Sequence, residues 1–529
     1  ILVVSVAGLV WSRWWSTRSW REMFSLGVDG WVLVLWAVIP YIVFSIQVSI
    51  VHSRYIMGLL PPLGIAIALW LSRVRPAWLR ALLLTVVVAG ALVQFFVLSF
   101  DAFSEVPSRL PVFAEGEMLQ WPASGPTDSD YWQVPEILQY IEEHRDTDPA
   151  QLGVLVNQFQ VNSKQFIYLV YTDYPHVHVQ ELATMGWEIP AYPRLFENDF
   201  VVTIDPTPHY ARRPDTEATI ERLLTMPDDT FHRAFDLVQT YPFPDGRRLV
   251  LYQRHLAPFT GTDLAYYEAL MADLQKVAGP ADAVLLTPPE QVYALGRFGD
   301  GALALYPFPA ESRPLVEADL EDLSQLGSQH DRVWVVAGEV GATDPQGLMT
   351  SWLAEHTYQA HSAWYGSLQL LLYGPEPETT DTIPFRLSQT TWQESVSLQD
   401  HRFLDSEVPL GQILRLELRW QAEEPPEERY KVFVHLLDGN GQLVAQRDSE
   451  PVSGTRPTTG WFPGELISDK HGLWLPTSLP EGDYQLVLGL YHTETGERLQ
   501  ACCPPTDAVP LATLHVEGDT ASLLFPDGD

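Results

Sequence analysis

Cysteine and basic residues are scarce in this chain of 529 residues. The only two cysteines, Cys502 and Cys503, are adjacent and lie near the end of the sequence. Adjacent cysteines rarely bridge each other and two cannot build a disulfide framework, so no such scaffold is expected. Lysine and arginine total 32 against 67 aspartates and glutamates, which gives a net charge of −35. A surface of this sign would repel nucleic acid, and no basic stripe interrupts it.

Motifs for nucleotide binding and for hydrolase chemistry are also missing. No G-x-G-x-x-G follows an apolar run, and neither a Walker loop nor a G-x-S-x-G nucleophile elbow is present. The sequence therefore gives no sign of a cofactor, and we expect none.

The charge is distributed unevenly along the chain. Residues 1–100 carry seven arginines, no lysine and only Glu22 and Asp29, for a net charge of +5. Residues 101–529 therefore carry −40. This acidic part is rich in Trp, Tyr, Leu and Val, so it can bury a core rather than remain disordered.

The first hundred residues contain four apolar runs. The chain begins with Ile inside the run ILVVSVAGLV, which we interpret as the broken end of a membrane helix and hence as a sign that the chain is a fragment. Three further runs have about the ~20 residues that a spanning helix needs. They cover residues 30–51, 55–72 and 79–100.

Arginines set the predicted orientation of these runs. The loops at 11–22 and 73–80 each contain three arginines, and the positive-inside rule places both in the cytoplasm. The sequence thus predicts about four transmembrane helices over residues 1–100, with residues 101–529 outside the cytoplasm.

The segment HSRY would then lie at the outer membrane face, just before a helix with two early prolines. Arg54 at that helix end suits a snorkelling anchor residue. A guanidinium beside a helix N-terminus also suits a lipid phosphate. The residue types alone favour the anchor, because arginines are common at helix ends.

HSRY followed by MGLLPPLGIAIAL resembles the late membrane helices of bacterial glycosyltransferase family 39 and its protein mannosyltransferase-like, GT-C-type relatives. The resemblance covers about the first 100 residues. It implies sugar transfer from a polyprenyl-phosphate donor to a glycan or protein acceptor, with Arg54, His52 and Tyr55 binding the lipid phosphate. The family's catalytic acidic residue lies in a first outer loop that this chain lacks, so the resemblance implies no catalytic residue here.

After a linker at 101–130, helical and strand patterns alternate. VPEILQYIEEH places four apolar residues at helical spacing, and LGVLVN and DFVVTIDP are typical of buried strands. We predict two tandem α/β units, at 131–258 and 259–378, which a divergent duplication would explain. Both contain YPFP, but at different places, so this motif does not support equivalence.

Two short patterns suggest metal ligands without establishing them. Asp128–Asp130 form a D-x-D like that of metal-dependent transferases, but a lone D-x-D favours a solvated loop. His176 and His178 would share one face of a strand, which is compatible with metal ligation. Because no third ligand can be identified, we prefer an exposed strand face and expect no metal.

The last part of the chain has an all-β pattern. ILRLELRW alternates apolar and charged residues, and two hairpin signals follow, which predicts an antiparallel β-sandwich over 379–517 with a tail at 518–529. The stretch RPTTGWFPGELISDKHGLWLP is similar to a C-terminal β-domain of some family 39 transferases. Trp461, Trp474 and Tyr484 are candidate sugar-stacking residues, although core packing is the commoner position of Trp.

The sequence therefore predicts a multidomain protein: a fragment of an α-helical transmembrane bundle, two α/β units and a β-sandwich. The predicted function is that of the C-terminal fragment of a membrane glycosyltransferase in contact with lipid, whose outer domains recruit the acceptor. The alternative is a non-catalytic, membrane-anchored cell-surface or carbohydrate-binding protein.

Overall fold

The computed structural model describes residues 65, 68, 71, 74 and 76–100, and residues 133–525 apart from short gaps. The gaps are at 158–160, 184–189, 209–213, 244–245, 261–262, 339, 377–382, 394 and 503–504. The chain divides into two compact units, Ile1–Asp130 and Tyr131–Asp529.

The predicted transmembrane bundle is wrong as the fold class. Helix α1 (Ala77–Phe100) occupies the last predicted span, and the structure describes its side chains for residues 77–86, 88 and 89. Within the described part of the chain, no helix is long and apolar enough to cross a membrane. The prediction rested on the lengths of apolar runs and on the arginines between them, and an apolar run alone does not fix the surroundings of a helix. Apart from residues 65, 68 and 71, the spans before 73 lie outside the described residues.

The second compact unit is built mainly from β-sheet. It begins with a five-stranded α/β sheet of order β2-β1-β3-β5-β4, in which β1 pairs parallel with β2 and β3, and β5 pairs antiparallel with β3 and β4. The elements of this first α/β unit are α2 (Val134–His144), β1 (Ala150–Val154), α3 (Ser163–Thr172), β2 (Val177–Glu181), α4 (Ala191–Leu195), β3 (Phe200–Asp205), α5 (Pro214–Thr225), β4 (Phe235–Pro242) and β5 (Arg248–Arg254).

The second α/β unit repeats this order. Its strands run β7-β6-β8-β10-β9, which is the same arrangement when the five strands are numbered from its own start. The elements are α6 (Leu264–Val277), β6 (Ala283–Thr287), α7 (Gln291–Leu295), β7 (Ala304–Pro307), α8 (Asp319–Gln329), β8 (Val333–Ala337), α9 (Val340–Thr343), α10 (Leu348–His356), β9 (Thr357–Tyr365) and β10 (Leu368–Pro375). Equal strand order favours the duplication. The two YPFP motifs begin on non-equivalent strands, β4 and β7, as the sequence predicts.

A β-sandwich completes the chain and shares a sheet with the second α/β unit. The nine-stranded sheet runs β11-β12-β14-β17-β9-β10-β8-β6-β7, and a six-stranded sheet, β13-β20-β19-β18-β15-β16, lies opposite its first four strands. The strands are β11 (Arg386–Trp392), β12 (Val396–Phe403), β13 (Glu407–Pro409), β14 (Ile413–Ala422), β15 (Tyr430–Leu437), β16 (Leu443–Ser449), β17 (Ile467–Trp474), β18 (Gly482–His492), β19 (Val509–Glu517) and β20 (Thr520–Leu524). The predicted domain boundary at 378 therefore lies within one continuous sheet.

The two α/β units stack head to tail. One hydrophobic core contains residues of α4 and α5 from the first unit and of α6 and α7 from the second. The opposite face of each sheet has a separate core.

The nine-stranded sheet is joined where β17 meets β9. Their parallel pairing is recorded at His471 and Gln359. A Cβ at Gly472 would lie 2.7 Å from the Tyr358 carbonyl oxygen, so only glycine permits this approach. The buried Arg447 guanidinium, from the opposite sheet, donates to the backbone oxygen (3.0 Å) and side-chain oxygen (2.6 Å) of Gln359.

Replacing Gly472 with alanine should destabilise the fold, because overpacking of a filled interior costs about 1–3 kcal/mol. A Cβ at Gly460 would meet no atom within 4 Å, so Gly460→Ala is the matched control and should change stability little. Urea denaturation followed by tryptophan fluorescence measures both free energies of unfolding. Equal midpoints for the two variants would contradict the close-approach argument.

A second stability prediction concerns His401 on β12. Within the described residues neither ring nitrogen has a hydrogen-bond partner, and burial together with nearby Arg386 lowers the pKa of His401 to about 4, while Asp400 opposes the shift. The folded protein therefore binds this proton less readily than the unfolded chain, whose His titrates at about 6.5. This group should destabilise the fold progressively as the pH falls from about 6.5 to about 4, by at most ~1.4 kcal/mol per pH unit.

His401→Leu should remove that component of the pH dependence, since Leu carries no proton and Leu418 already lies opposite this position on β14. Urea denaturation of both proteins at pH 7.5 and pH 5 measures it. A stability loss of the same size in the variant and the wild type would show that His401 is not responsible.

Candidate glycan-binding cleft

An open cleft of about 710 Å³ lies on the first α/β unit, beside the carboxyl end of β3. In open α/β sheets, ligands bind outside the carboxyl ends of the parallel strands. The volume is in the range of small-molecule sites, roughly 300–1,000 Å³. The lining residues are Asp205, Pro206, Thr207, Glu217, Glu221, Leu224, Thr225, Leu237, Thr240, Arg248, Val250 and Tyr252.

An ion pair forms the end wall of the cleft. Asp205 is the last residue of β3 and pairs in register with Arg248, the first residue of β5. Arg248 donates from Nε (2.7 Å) and Nη2 (2.6 Å) to Asp205 Oδ2. The antiparallel return of β5 against β3 therefore brings together two charges that are 43 residues apart in the sequence.

Helix α5 forms a side wall that carries two more carboxylates. Thr216, Thr219, Ile220 and Leu223 are its buried residues. Glu217 and Glu221 lie one turn apart on the part of the helix that lines the cleft. The Thr225 hydroxyl donates to the backbone carbonyl oxygen of Glu221 (2.7 Å) and not to its carboxylate.

The floor of the cleft is largely apolar. Val250 and Tyr252 are buried on β5, and Leu237 on β4 is 56% exposed. The Tyr252 hydroxyl donates to the Leu223 carbonyl oxygen (3.2 Å). Burial raises the pKa of Tyr252 to about 12, so the hydroxyl stays protonated at neutral pH.

This arrangement suits a neutral, hydroxyl-rich ligand. Carboxylates accept hydrogen bonds from hydroxyls, the Arg248 guanidinium donates them, and the apolar floor can contact C–H groups. Asp205 and Arg248 balance each other, and the exposed Glu221 adds a negative charge to the cleft. An anionic ligand such as a phosphate would be repelled here.

The structure gives no support for a metal site in the part of the chain it describes. No group of three His, Cys, Asp or Glu residues there could hold a metal ion. His176 and His178 are both exposed at β2. The His176 ring hydrogen-bonds Asp148 (2.9 Å) and holds the pKa of that carboxyl below its usual range. Both histidines are therefore exposed side chains at the strand, which is the interpretation that the sequence analysis preferred over metal ligation.

The three predicted sugar-stacking residues are largely occupied in packing. Trp461 is 2% exposed, and its indole N–H donates to the Arg456 carbonyl oxygen (3.0 Å). Tyr484 is 6% exposed and donates to the Pro480 carbonyl oxygen (2.8 Å). Both rings lie in the sandwich core, Trp461 from the loop before β17 and Tyr484 from β18, and they present no face to a ligand there.

Trp474 is half-buried at the junction with the second α/β unit. Its ring meets Trp334 edge-on, with 5.8 Å between centroids, and its N–H donates to the Gly411 carbonyl oxygen (3.0 Å). Trp461 and Tyr484 are thus core residues, and Trp474 is partly packed into the junction.

The predicted phosphate-binding residues, His52, Arg54 and Tyr55, lie outside the described residues. The D-x-D at Asp128–Asp130 also lies outside them. The sequence prediction also missed two features. Asp205 is an acidic residue at the end of the apolar run in DFVVTIDP, which was the available signal for the cleft. Trp364 is 67% exposed in HSAWYGS, where the adjacent Gly was a signal for a hairpin tip.

Comparison with known proteins identifies no relative that assigns a family. No family model matches the chain, and no curated protein matches it. Among solved structures, the C-terminal domain of wzt is similar to it at 15% identity, covering 28% of this chain and 90% of that one, with a TM-score of 0.19. Bacteroides uniformis β-glucuronidase (9% identity, 26% and 19% coverage, TM-score 0.16) and the ApaA protein of Bordetella pertussis (17%, 27% and 100%, 0.14) are also similar. Likenesses at these TM-scores carry no argument about this protein.

The adjacent residues Trp461 and Phe462 differ in burial, and their contributions to stability can be compared directly. Trp461→Ala should lower the free energy of unfolding by about 3–5 kcal/mol, the usual cost of truncating a buried Trp. Phe462 is 70% exposed, so Phe462→Ala should change stability by no more than about 0.5 kcal/mol. Urea denaturation of both variants compares them. A small loss for Trp461→Ala would mean that this ring is not a core residue.

Proposed function

We propose that this protein is a carbohydrate-binding protein and that the cleft of the first α/β unit binds a neutral glycan. The observation that carries the proposal is the cleft itself: carboxylates and a guanidinium surround an apolar floor beside the carboxyl end of a parallel strand. A sugar presents the same two features, since its hydroxyls exchange hydrogen bonds and its C–H groups are apolar.

The charge of the protein supports a neutral ligand over an anionic one. Residues 101–529 carry a net charge of −40, and Glu221 places part of that negative charge in the cleft. A polyanionic ligand would be repelled over distances of about 10 Å at moderate salt. A neutral polyhydroxyl ligand avoids this cost and can still exchange hydrogen bonds with the carboxylates and the Arg248 guanidinium of the cleft.

The transferase function stays a prediction of the sequence. The residues that would bind the lipid phosphate, Arg54 foremost, lie outside the described residues. Glycan binding, by contrast, depends on residues whose positions are described.

Glu221→Ala in the full chain should weaken binding of neutral oligosaccharides about tenfold, because a hydrogen bond to a charged group is worth about 1.5–3 kcal/mol. Glu221 is exposed on α5, so its removal should leave the fold intact. The probes are maltoheptaose, cellohexaose and mannohexaose, which differ in linkage and hydroxyl orientation. Isothermal titration calorimetry gives the affinities.

Two controls accompany this measurement. Glu143→Ala removes an exposed carboxylate of α2 that pairs with Gln139, and should leave affinity unchanged. A galacturonate hexamer, with a carboxylate on every ring, should bind more weakly than the neutral probes. If the wild type binds none of the neutral probes, or if it prefers the anionic hexamer, the proposal is wrong.

A further inference from the structure

Trp364 presents an exposed indole near the end of β9, in the second α/β unit. It is 67% exposed. Gln369 of β10 pairs directly opposite it, and Ser362 lies two residues before it on the same face of the sheet. The Gln369 side-chain amide donates to the Ser362 hydroxyl (3.0 Å), so the two polar groups lie together beside the ring.

The two residues after Trp364 anchor the hairpin tip to α6. The neighbouring Tyr365 hydroxyl donates to Asp273 of α6 (3.0 Å). Gly366 has a φ of +61°, and a Cβ there would lie 2.1 Å from the Tyr266 ring, so the tip lies directly against α6. These contacts fix the backbone at Trp364, so less conformational entropy is lost when a ligand binds to the indole.

This position is equivalent to the end wall of the cleft in the first unit. There, the last residue of the third strand, Asp205, pairs with Arg248, which in turn pairs with Pro242 at the end of the fourth strand. In the second unit, the last residue of the third strand is Ala337; it pairs with Gln369, which pairs with Trp364.

The two positions also share a side of the sheet. The cleft is walled by α5, the helix that precedes the fourth strand of the first unit. In the second unit the corresponding helix is α10. Its Met349 and Leu353 pack in one core with Leu371, which shares the face of Gln369 on β10. Both positions therefore lie at the carboxyl edge of the parallel strands, on the side of the corresponding helix.

We propose that Trp364, Gln369 and Ser362 form a second sugar subsite, which stacks the indole on one pyranose ring of a neutral glycan. The indole face offers a large apolar surface to the C–H face of the ring. The amide and the hydroxyl supply donors and acceptors for the sugar hydroxyls at its edge. This inference rests on the proposed function and extends it: one ancestral binding position, duplicated with the unit, holds sugar by ion-pair contacts in one copy and by stacking in the other.

The test uses the full chain and the neutral oligosaccharide that the wild type binds best among maltoheptaose, cellohexaose and mannohexaose. The wild type should bind two oligosaccharides per chain. Trp364→Ala should remove one of the two, and Trp364→Tyr should retain most of the binding, because it keeps a stacking ring. Tyr171 on α3 is 86% exposed, so Tyr171→Ala is the matched loss of an exposed aromatic residue and should leave both sites intact. Far-UV circular dichroism verifies that each variant folds.

The two proposals fail in different ways. If Trp364→Ala binds as the wild type does while Glu221→Ala binds weakly, the second subsite is wrong and the cleft stands. If Glu221→Ala has no effect and Trp364→Ala removes all binding, the cleft is wrong and the indole is the site. A full-length chain that binds one oligosaccharide with no dependence on Trp364 also overturns the inference.

Retention on an immobilised polymer of the same sugar gives an independent measurement. Two sites on one chain raise polymer avidity above that of either site, by an amount that the spacing of the sites sets. Trp364→Ala should therefore weaken retention on the immobilised polymer by a larger factor than Tyr171→Ala. Equal retention of the two variants would contradict the subsite.

Discussion

The contact of β17 with β9 is the constraint on which the architecture depends. It joins the sheet of the second α/β unit to one sheet of the sandwich, so that one nine-stranded sheet spans both. The approach is possible because Gly472 has no side chain: a Cβ there would collide with the Tyr358 carbonyl oxygen. Without this contact, β17 of the sandwich and β9 of the second α/β unit would each be an edge strand with unpaired backbone groups.

Buried charges fix the geometry around this junction. Arg447 spans from β16 in one sheet to Gln359 in the other. Arg332 binds Asp282 through two hydrogen bonds and donates to the Gly411 carbonyl oxygen (2.7 Å), which ties the second α/β unit to the start of β14. Buried charges of this kind must be paired where they lie, because an unpaired buried charge is strongly destabilising. They therefore specify which elements meet.

The two α/β units carry different surfaces at equivalent strand positions. The cleft of the first unit opens beside the end of β3, and its buried floor residues Val250 and Tyr252 also belong to the core shared with the second unit. The second unit carries the exposed Trp364 at the corresponding place. Two units with the same strand order thus present chemically different surfaces at one topological position.

The sequence by itself determined the local elements and the charge. Helical spacing in VPEILQYIEEH correctly identified Val134, Ile137, Leu138 and Ile141 as the buried face of α2. Alternation in ILRLELRW correctly placed Leu414, Leu416, Leu418 and Trp420 inside β14. The tertiary structure alone decided the strand order, the sheet that crosses residue 378, the cleft at Asp205, and which tryptophans are buried. Periodicity reports which residues share a face, but the packing of distant segments decides whether a side chain meets a core or solvent. Trp461, in the loop before β17, is buried in the sandwich core, while Trp364 on β9 is exposed.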